Sequence, residues 1–279
     1  MFKATLAVAV LTSLLAAPAL AQVGADLNIS PRRVTFDDSE RAATVYVFNQ
    51  GDEPATYTVE LVDRIMQPDG QIVALVDATD APHSASAQPF IQYTPRRVVL
   101  EPKQSQVIRV RVRPPAVGAP AEYRTHLTVT ALPPEDTGFT AAQAAEANPN
   151  GLALQVTALF SVSIPLIVRE GAVDARAAIQ NVSRLPASEG APNGALALDL
   201  VRLGDNSVYG DVEVHAGQGA TDRVVGLVSG VAVYPEIERR TLTAPLAETV
   251  AEGEALRIVY RDDDAHVGVE LATASLPAS

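Results

Sequence analysis

The sequence predicts an all-β protein built from two immunoglobulin-like β-sandwiches, and three observations carry that expectation. Apolar residues recur with a period of two along most of the chain. Short runs of this kind are bounded by clusters of Gly, Pro, Asn and Asp, as strands joined by turns require. Helical periodicity is scarce: the Ala-rich stretch 140–147 is enclosed by Pro133-Pro134 and Asn148-Pro149-Asn150-Gly151, so 133–151 reads as a long surface loop.

The elements follow in order. Residues 44–48 form a strand, 49–54 a turn, and 55–62 the returning strand. Residues 98–100 precede a turn at Glu101-Pro102-Lys103. Beyond it, Ile108, Val110 and Val112 face one way while Val107, Arg109, Arg111 and Arg113 face the other. The alternation stops near Arg169-Glu170-Gly171 and a new series begins near Asp174. Strands are expected at 196–203, 208–214, 224–234 and 255–260, with a loop at 184–194. The expected boundary therefore divides 22–169 from 170–279.

Residues 1–21 read as a secretory signal: Lys3, an apolar run over 6–15, and Ala19-Leu20-Ala21 before the cleavage point, leaving Gln22 as the first mature residue. The run is shorter than the ~20 residues of a membrane span, and no later segment is apolar enough to insert. With no cysteine, disulfides and thiolate metal sites are excluded, and hydrophobic cores must hold each half together. A formal net charge of −12 disfavours nucleic acid and anionic membrane surfaces. Local arginine clusters at 32–33, 96–97 and 109–113 instead suit a specific anionic feature on a protein partner.

Enzymatic chemistry finds no support in the sequence. His83, His126, His215 and His266 lack metal-ligand spacing, and neither a nucleophile elbow nor a phosphate-binding loop occurs. Asp262-Asp263-Asp264 lacks a calcium-loop pattern and reads as a charged turn. A carbohydrate-active sandwich would want aromatic platforms, yet there is no tryptophan and aromatics are 5% of the chain. No catalytic residue, metal or cofactor is expected.

The segment 152–168 is the most informative. Leu152, Leu154, Val156, Ala158, Phe160, Val162 and Ile164 share one face of a single strand, well beyond the average strand length of about 5–6 residues. Two arrangements fit: a central strand buried on one side, or an edge strand offering its apolar row to a partner. Over 152–164 there is neither charge nor proline, the usual protection of an edge.

Several stretches together resemble the PapD-type periplasmic pilus chaperones. They are Leu27-x-Ile29-x-Pro31-x-Arg33-Val34-x-Phe36, Ala43-x-Val45-x-Val47-x-Asn49-x-Gly51, Pro95-Arg96-x-Val98-x-Leu100-x-Pro102, Glu122-Tyr123-Arg124-x-His126-Leu127 and Ser163-Ile164-Pro165-x-Ile167-Val168-Arg169. In the second half, Arg202-x-Gly204-x-x-Ser207-Val208-Tyr209-Gly210-Asp211 and 230–234 match as well. The resemblance implies two sandwiches set at an angle, periplasmic residence, a pilus subunit and an outer-membrane usher as partners, and donor-strand complementation. It implies a donor face of Leu154, Val156, Ala158, Phe160, Val162 and Ile164. Arg33 would anchor the subunit's terminal carboxylate through its bidentate fork. The second anchor of the family is a lysine, but Pro165 stands there, which is similar to the archaic, spore-coat-U-associated branch and makes Arg124 the candidate substitute. Glu122 and Arg169, with Asp262 as third member, would form an interdomain ion pair. The competing assignment, a pilus subunit or adhesin, would need an apolar N-terminal extension, and 22–26 is too short for one.

Overall fold

The computed structural model describes residues 26–75, 85–113, 122–133, 159–251 and 253–277. The expected signal segment, nearly all of the 133–151 loop, and Leu154, Val156 and Ala158 lie outside them. The described residues form two β-sandwiches. In the first, one sheet has the order β1 (Leu27–Ser30), β3 (Ala42–Asn49), β9 (Ser105–Val112), β7 (Ile91–Thr94). The other runs β2 (Val34–Phe36), β11 (Ser161–Arg169), β10 (Glu122–Ala131), β4 (Ala55–Val62), β8 (Arg97–Leu100). A small hairpin, β5 (Arg64–Met66) with β6 (Ile72–Ala74), projects from this half.

The expected strands at 44–48 and 55–62 exist but do not pair with each other. β3 and β4 belong to opposite sheets, as do β8 and β9, so each intervening turn arches over the end of the sandwich. Asn49 ties both arches together. Its buried Nδ2 donates to the carbonyls of Glu53 (2.9 Å) and Leu100 (3.2 Å), while its Oδ1 accepts the Gly51 amide at 3.0 Å. Between the arches the inward faces interleave: Phe36, Val45, Val47, Tyr57, Val59, Ile108, Val110, Leu127, Val129 and Leu166 are buried in one core.

The second sandwich packs β12 (Ala177–Leu185), β13 (Ala195–Arg202) and β16 (Arg239–Pro245) against the sheet β15 (Arg223–Val233), β14 (Val208–Ala216), β17 (Leu256–Asp262), β18 (Glu270–Leu276). Its core centres on Leu196, Leu198, Leu200, Val212, Val214, Ile258 and Tyr260. The turn after β17 reaches the first sandwich through Asp264, and Gly210 sets its position. A Cβ at Gly210 would lie 1.9 Å from the Arg261 carbonyl oxygen, so only glycine lets β14 and β17 approach this closely.

In the first sandwich, β11 sits between two neighbours for only part of its length. It pairs antiparallel with β10 from Ser161 to Arg169, and parallel with β2 only at Leu166–Val168. Among the described strands, the second edge of 161–165 is unpaired. The side chains alternate along the strand, and Ile164, Leu166 and Val168 point into the core.

On the opposite face of this sheet, His126 lies across from Pro165 on β11 and Val62 on β4, buried and with no partner for Nδ1. Burial, with Arg124 and Arg64 nearby, depresses its pKa from 6.5 to about 3. The folded chain thus keeps His126 neutral where the unfolded chain takes up a proton. Stability linked to this group is full above pH 6.5 and declines as pH falls toward 3. We expect His126→Phe to remove about 3 kcal/mol of the stability lost between pH 6.5 and about 4. Urea unfolding across that window tests it, and parallel pH profiles for the two proteins would contradict it.

Candidate functional site

The site forms where the outer face of the β2–β11–β10 sheet meets the β14 and β17 ends of the second sandwich. The chain bends at Pro31, leaves the first sheet and enters β2, which carries Arg33 to this junction. The register of β10 with β11 sets Glu122 opposite Arg169. Arg169 Nε donates to Glu122 Oε2 at 2.9 Å, and both side chains are buried. Ser207, just before β14, completes the pair from the other half: its amide (3.0 Å) and hydroxyl (2.9 Å) donate to Glu122, while its carbonyl accepts from Arg169 Nη2 at 3.2 Å. The Glu122–Arg169 pair therefore exists, and Ser207 of the second sandwich touches both of its side chains.

The third acid differs from the expectation. Asp262 is turned into its own loop, where it accepts the amides of Asp264 (3.1 Å) and His266 (2.6 Å). Asp264 takes the expected place, 2.8 Å from Arg169 and 3.0 Å from Arg33. β17 ends at Asp262, and the bend that follows brings Asp264 to the two arginines. Thr35 Oγ1 donates to the other oxygen of Asp264 at 3.2 Å. Burial alone would raise the Asp264 pKa, but Arg33 and Arg169 outweigh it and hold the carboxyl below the usual range. Burial likewise opposes the charge of Arg33, yet Tyr234 and Asp264 leave its pKa raised.

Arg33 sits near two rings, with its guanidinium carbon 4.6 Å from the Tyr209 centroid and 5.8 Å from that of Tyr234. Beside it, a groove of about 660 Å³ runs between β2 and the start of β3, with Arg109 and Arg111 on its far wall. Arg33 thus lines an open groove on one side and an ionic cluster on the other.

Arg124 has a different environment from the one expected. Its side chain is 2% exposed and that of Glu236 is fully buried. Nη1 donates to Glu236 Oε2 at 3.0 Å, Nη2 donates to the Arg64 carbonyl at 3.0 Å and to Glu236 Oε1, and the guanidinium lies 3.8 Å over the Tyr234 ring. Glu236 also accepts the Met66 amide at 2.6 Å. Both Nη groups of Arg124 are engaged, its buried Nε has no partner, and through Glu236 it ties the two sandwiches together. Met66, Ile167, Ala232 and Tyr234 form the apolar part of the same junction.

The apolar row over 154–164 also needs one correction. Ile164 is 2% exposed and belongs to the first core, because the sandwich closes over the strand at that point. Val162 is half-buried against the same core, and Phe160 is half-buried at the strand's start, with its carbonyl accepting the Ala131 amide at 2.9 Å. Ser207, Tyr209, Tyr234, Glu236 and Asp264 were missed as site residues, although 207–211 and 230–234 lie in the matching stretches. Their common signal is position: each sits at or just beyond the end of a strand facing the first sandwich.

A two-sandwich protein whose halves are clamped by buried arginine–carboxylate pairs, beside a strand edge unpaired among the described residues, has the architecture of a pilus-assembly chaperone. The family model "Pili and flagellar-assembly chaperone, PapD N-terminal domain" matches residues 26–172, and the chain belongs to that family. No curated protein matches the chain. Solved structures that it resembles include the Pseudomonas aeruginosa CupB2 chaperone (15% identity, 90% of this chain and 100% of that one, TM-score 0.43). The E. coli chaperone DraB is 16% identical, with 91% and 96% covered and a TM-score of 0.41. The CsuC–CsuE chaperone–tip adhesion subunit pre-assembly complex from archaic Csu pili of Acinetobacter baumannii gives 13% identity, 88% and 98% coverage and a TM-score of 0.44.

Breaking a buried ion pair on one side strands the remaining charge, at a cost of about 3–5 kcal/mol. Arg169→Met should destabilise the protein by about that amount, and Glu122→Leu added to it should recover part of the loss. Urea unfolding of the single and double variants measures both, and additive losses would show that the two side chains do not act as a pair.

Proposed function

We propose that the protein is a periplasmic carrier of incomplete pilus subunits, which it completes by donor-strand complementation and passes to an outer-membrane usher. The observation that supports this best is the half-open β11. One edge of 161–165 is held by β10, the other has no partner among the described strands, and the strand is preceded in sequence by the apolar row 154–160. A strand so placed extends a partner's sheet by main-chain hydrogen bonds while its alternate side chains fill the partner's groove. Leu154, Val156, Ala158 and Phe160 are the proposed donor side chains, and Ile164 stays with the carrier's own core.

Arg33 is the proposed anchor for the subunit's terminal carboxylate. It is the cation at the junction that also lines a groove, and guanidinium binds carboxylate with directional, charge-assisted hydrogen bonds. Residues 22–169 form the domain that lends the strand in this reading, and 170–279 the domain that closes the cleft. Export removes residues 1–21.

Phe160→Asp and Ile164→Asp separate carrier from core. Each large apolar side chain buried in the partner contributes roughly 1.5–3 kcal/mol, so Phe160→Asp should abolish co-purification of a subunit from periplasm while melting close to wild type. Ile164→Asp should unfold the protein itself. An unfolded Phe160→Asp variant would place that side chain in the carrier's core and defeat its donor role. Arg33→Ala should weaken capture by about 2–5 kcal/mol and leave a folded protein, and undiminished capture by Arg33→Ala would remove Arg33 as the anchor.

A further inference from the structure

Arg33 is not a free cation in the unliganded protein. Its Nη2 donates to Asp264 Oδ2 at 3.0 Å, and each side chain of the pair is 11% exposed. Within this cluster Arg33 and Arg169 are balanced by Glu122 and Asp264, so an arriving carboxylate meets little net attraction. Arg33 is nevertheless under-used. Its buried Nε has no partner, and its remaining contacts are long: Nη1 to Tyr234 Oη at 3.4 Å and Nη2 to Ser207 Oγ at 3.5 Å. A carboxylate binds a guanidinium best through two parallel N–H groups. Nε and Nη2 form such a fork, with one tine on Asp264 and the other idle.

We propose that Asp264 is an internal placeholder, capping Arg33 in the free protein and yielding it to the terminal carboxylate of the captured chain. The inference rests on the reading of Arg33 as the anchor and adds the residue that sets how tightly the carboxylate is held. Asp264 is suited to yielding. Beside Arg33 it has Arg169 at 2.8 Å and the Thr35 hydroxyl at 3.2 Å as partners, and its turn is held by Asp262, not by Arg33. The turn also lies at the surface, with Val267 73% exposed. The second arginine–carboxylate tie, Arg124–Glu236, offers no such exchange, since both side chains are sealed from solvent. No covalent step is involved: one Nη2–H···O contact is replaced by a fork to the incoming oxygens.

The test uses the tetrapeptide acetyl-Ala-Ala-Ala-Phe as free acid and as amide, titrated by NMR into wild type, Arg33→Ala, Asp264→Asn and Asp264→Ser. Wild type should bind the acid weakly and in preference to the amide. Both Asp264 variants should bind the acid at least tenfold more tightly with the amide unchanged, and the Arg33 Nε–H resonance should move only with the acid. An acid preference that Arg33→Ala abolishes, but that the Asp264 variants leave unchanged or weaken, overturns the placeholder and leaves the anchor standing. Equal binding of acid and amide by wild type and Arg33→Ala overturns both. Should the Asp264 variants fold poorly, the Asp264 carboxyl carbon resonance in wild type decides: it must shift as the acid saturates, and a constant resonance refutes the exchange.

Discussion

The Glu122–Arg169 pair with Ser207 is the interaction on which the rest of the architecture depends. Glu122 and Arg169 face each other because β10 and β11 are in register, and Ser207 reaches them because β14 begins beside that pair. A buried ion pair contributes little net stability over an apolar replacement, but it is demanding about geometry. Here the demand falls on a junction whose apolar part is small: Met66, Ile167, Ala232 and Tyr234. Hydrophobic contact of that size allows sliding, whereas directional donors and acceptors on both sides admit one alignment. The Arg124–Glu236 tie repeats the device, so two arginines of the first sandwich are each fixed by groups of the second.

Much of the fold was legible because period-two alternation is strong in β3, β4, β9, β13 and β14. Alternation specifies which face a side chain takes, not which strand lies alongside. Runs 44–48 and 55–62 therefore read as a returning pair, while the structure sends them to opposite sheets. β16 and β18 gave too little contrast to be seen: Arg239–Pro245 mixes cations and threonines, and Glu270–Leu276 is largely Ala, Thr and Ser on an edge. The family resemblance, rather than periodicity, pointed to Arg33, Glu122 and Arg169. It could not resolve which aspartate of 262–264 turns inward, because that depends on where β17 ends. Nor could it foresee the burial of Arg124 against Glu236 and Tyr234, more than a hundred residues away.

Two kinds of arginine emerge at one junction. Arg124 and Arg169 are sealed within the junction and tie the sandwiches together, while Arg33 is 11% exposed and lines a groove. The residue type is the same in each case. What separates them is access to solvent, which is a property of the tertiary fold and invisible along the chain.

The even-numbered row of β11 has a further implication for how such a chain tolerates change. Phe160, which precedes the strand, shares one phase with Val162, Ile164, Leu166 and Val168, so the proposed donor row and the core packing are read in the same frame. Inserting a single residue between Val162 and Ile164 would reverse that phase upstream, turning Val162, and Phe160 before it, toward the opposite face. Inserting a pair would restore the phase but advance every knob by about 7 Å. The stretch 160–168 therefore accepts substitution more readily than a change of length.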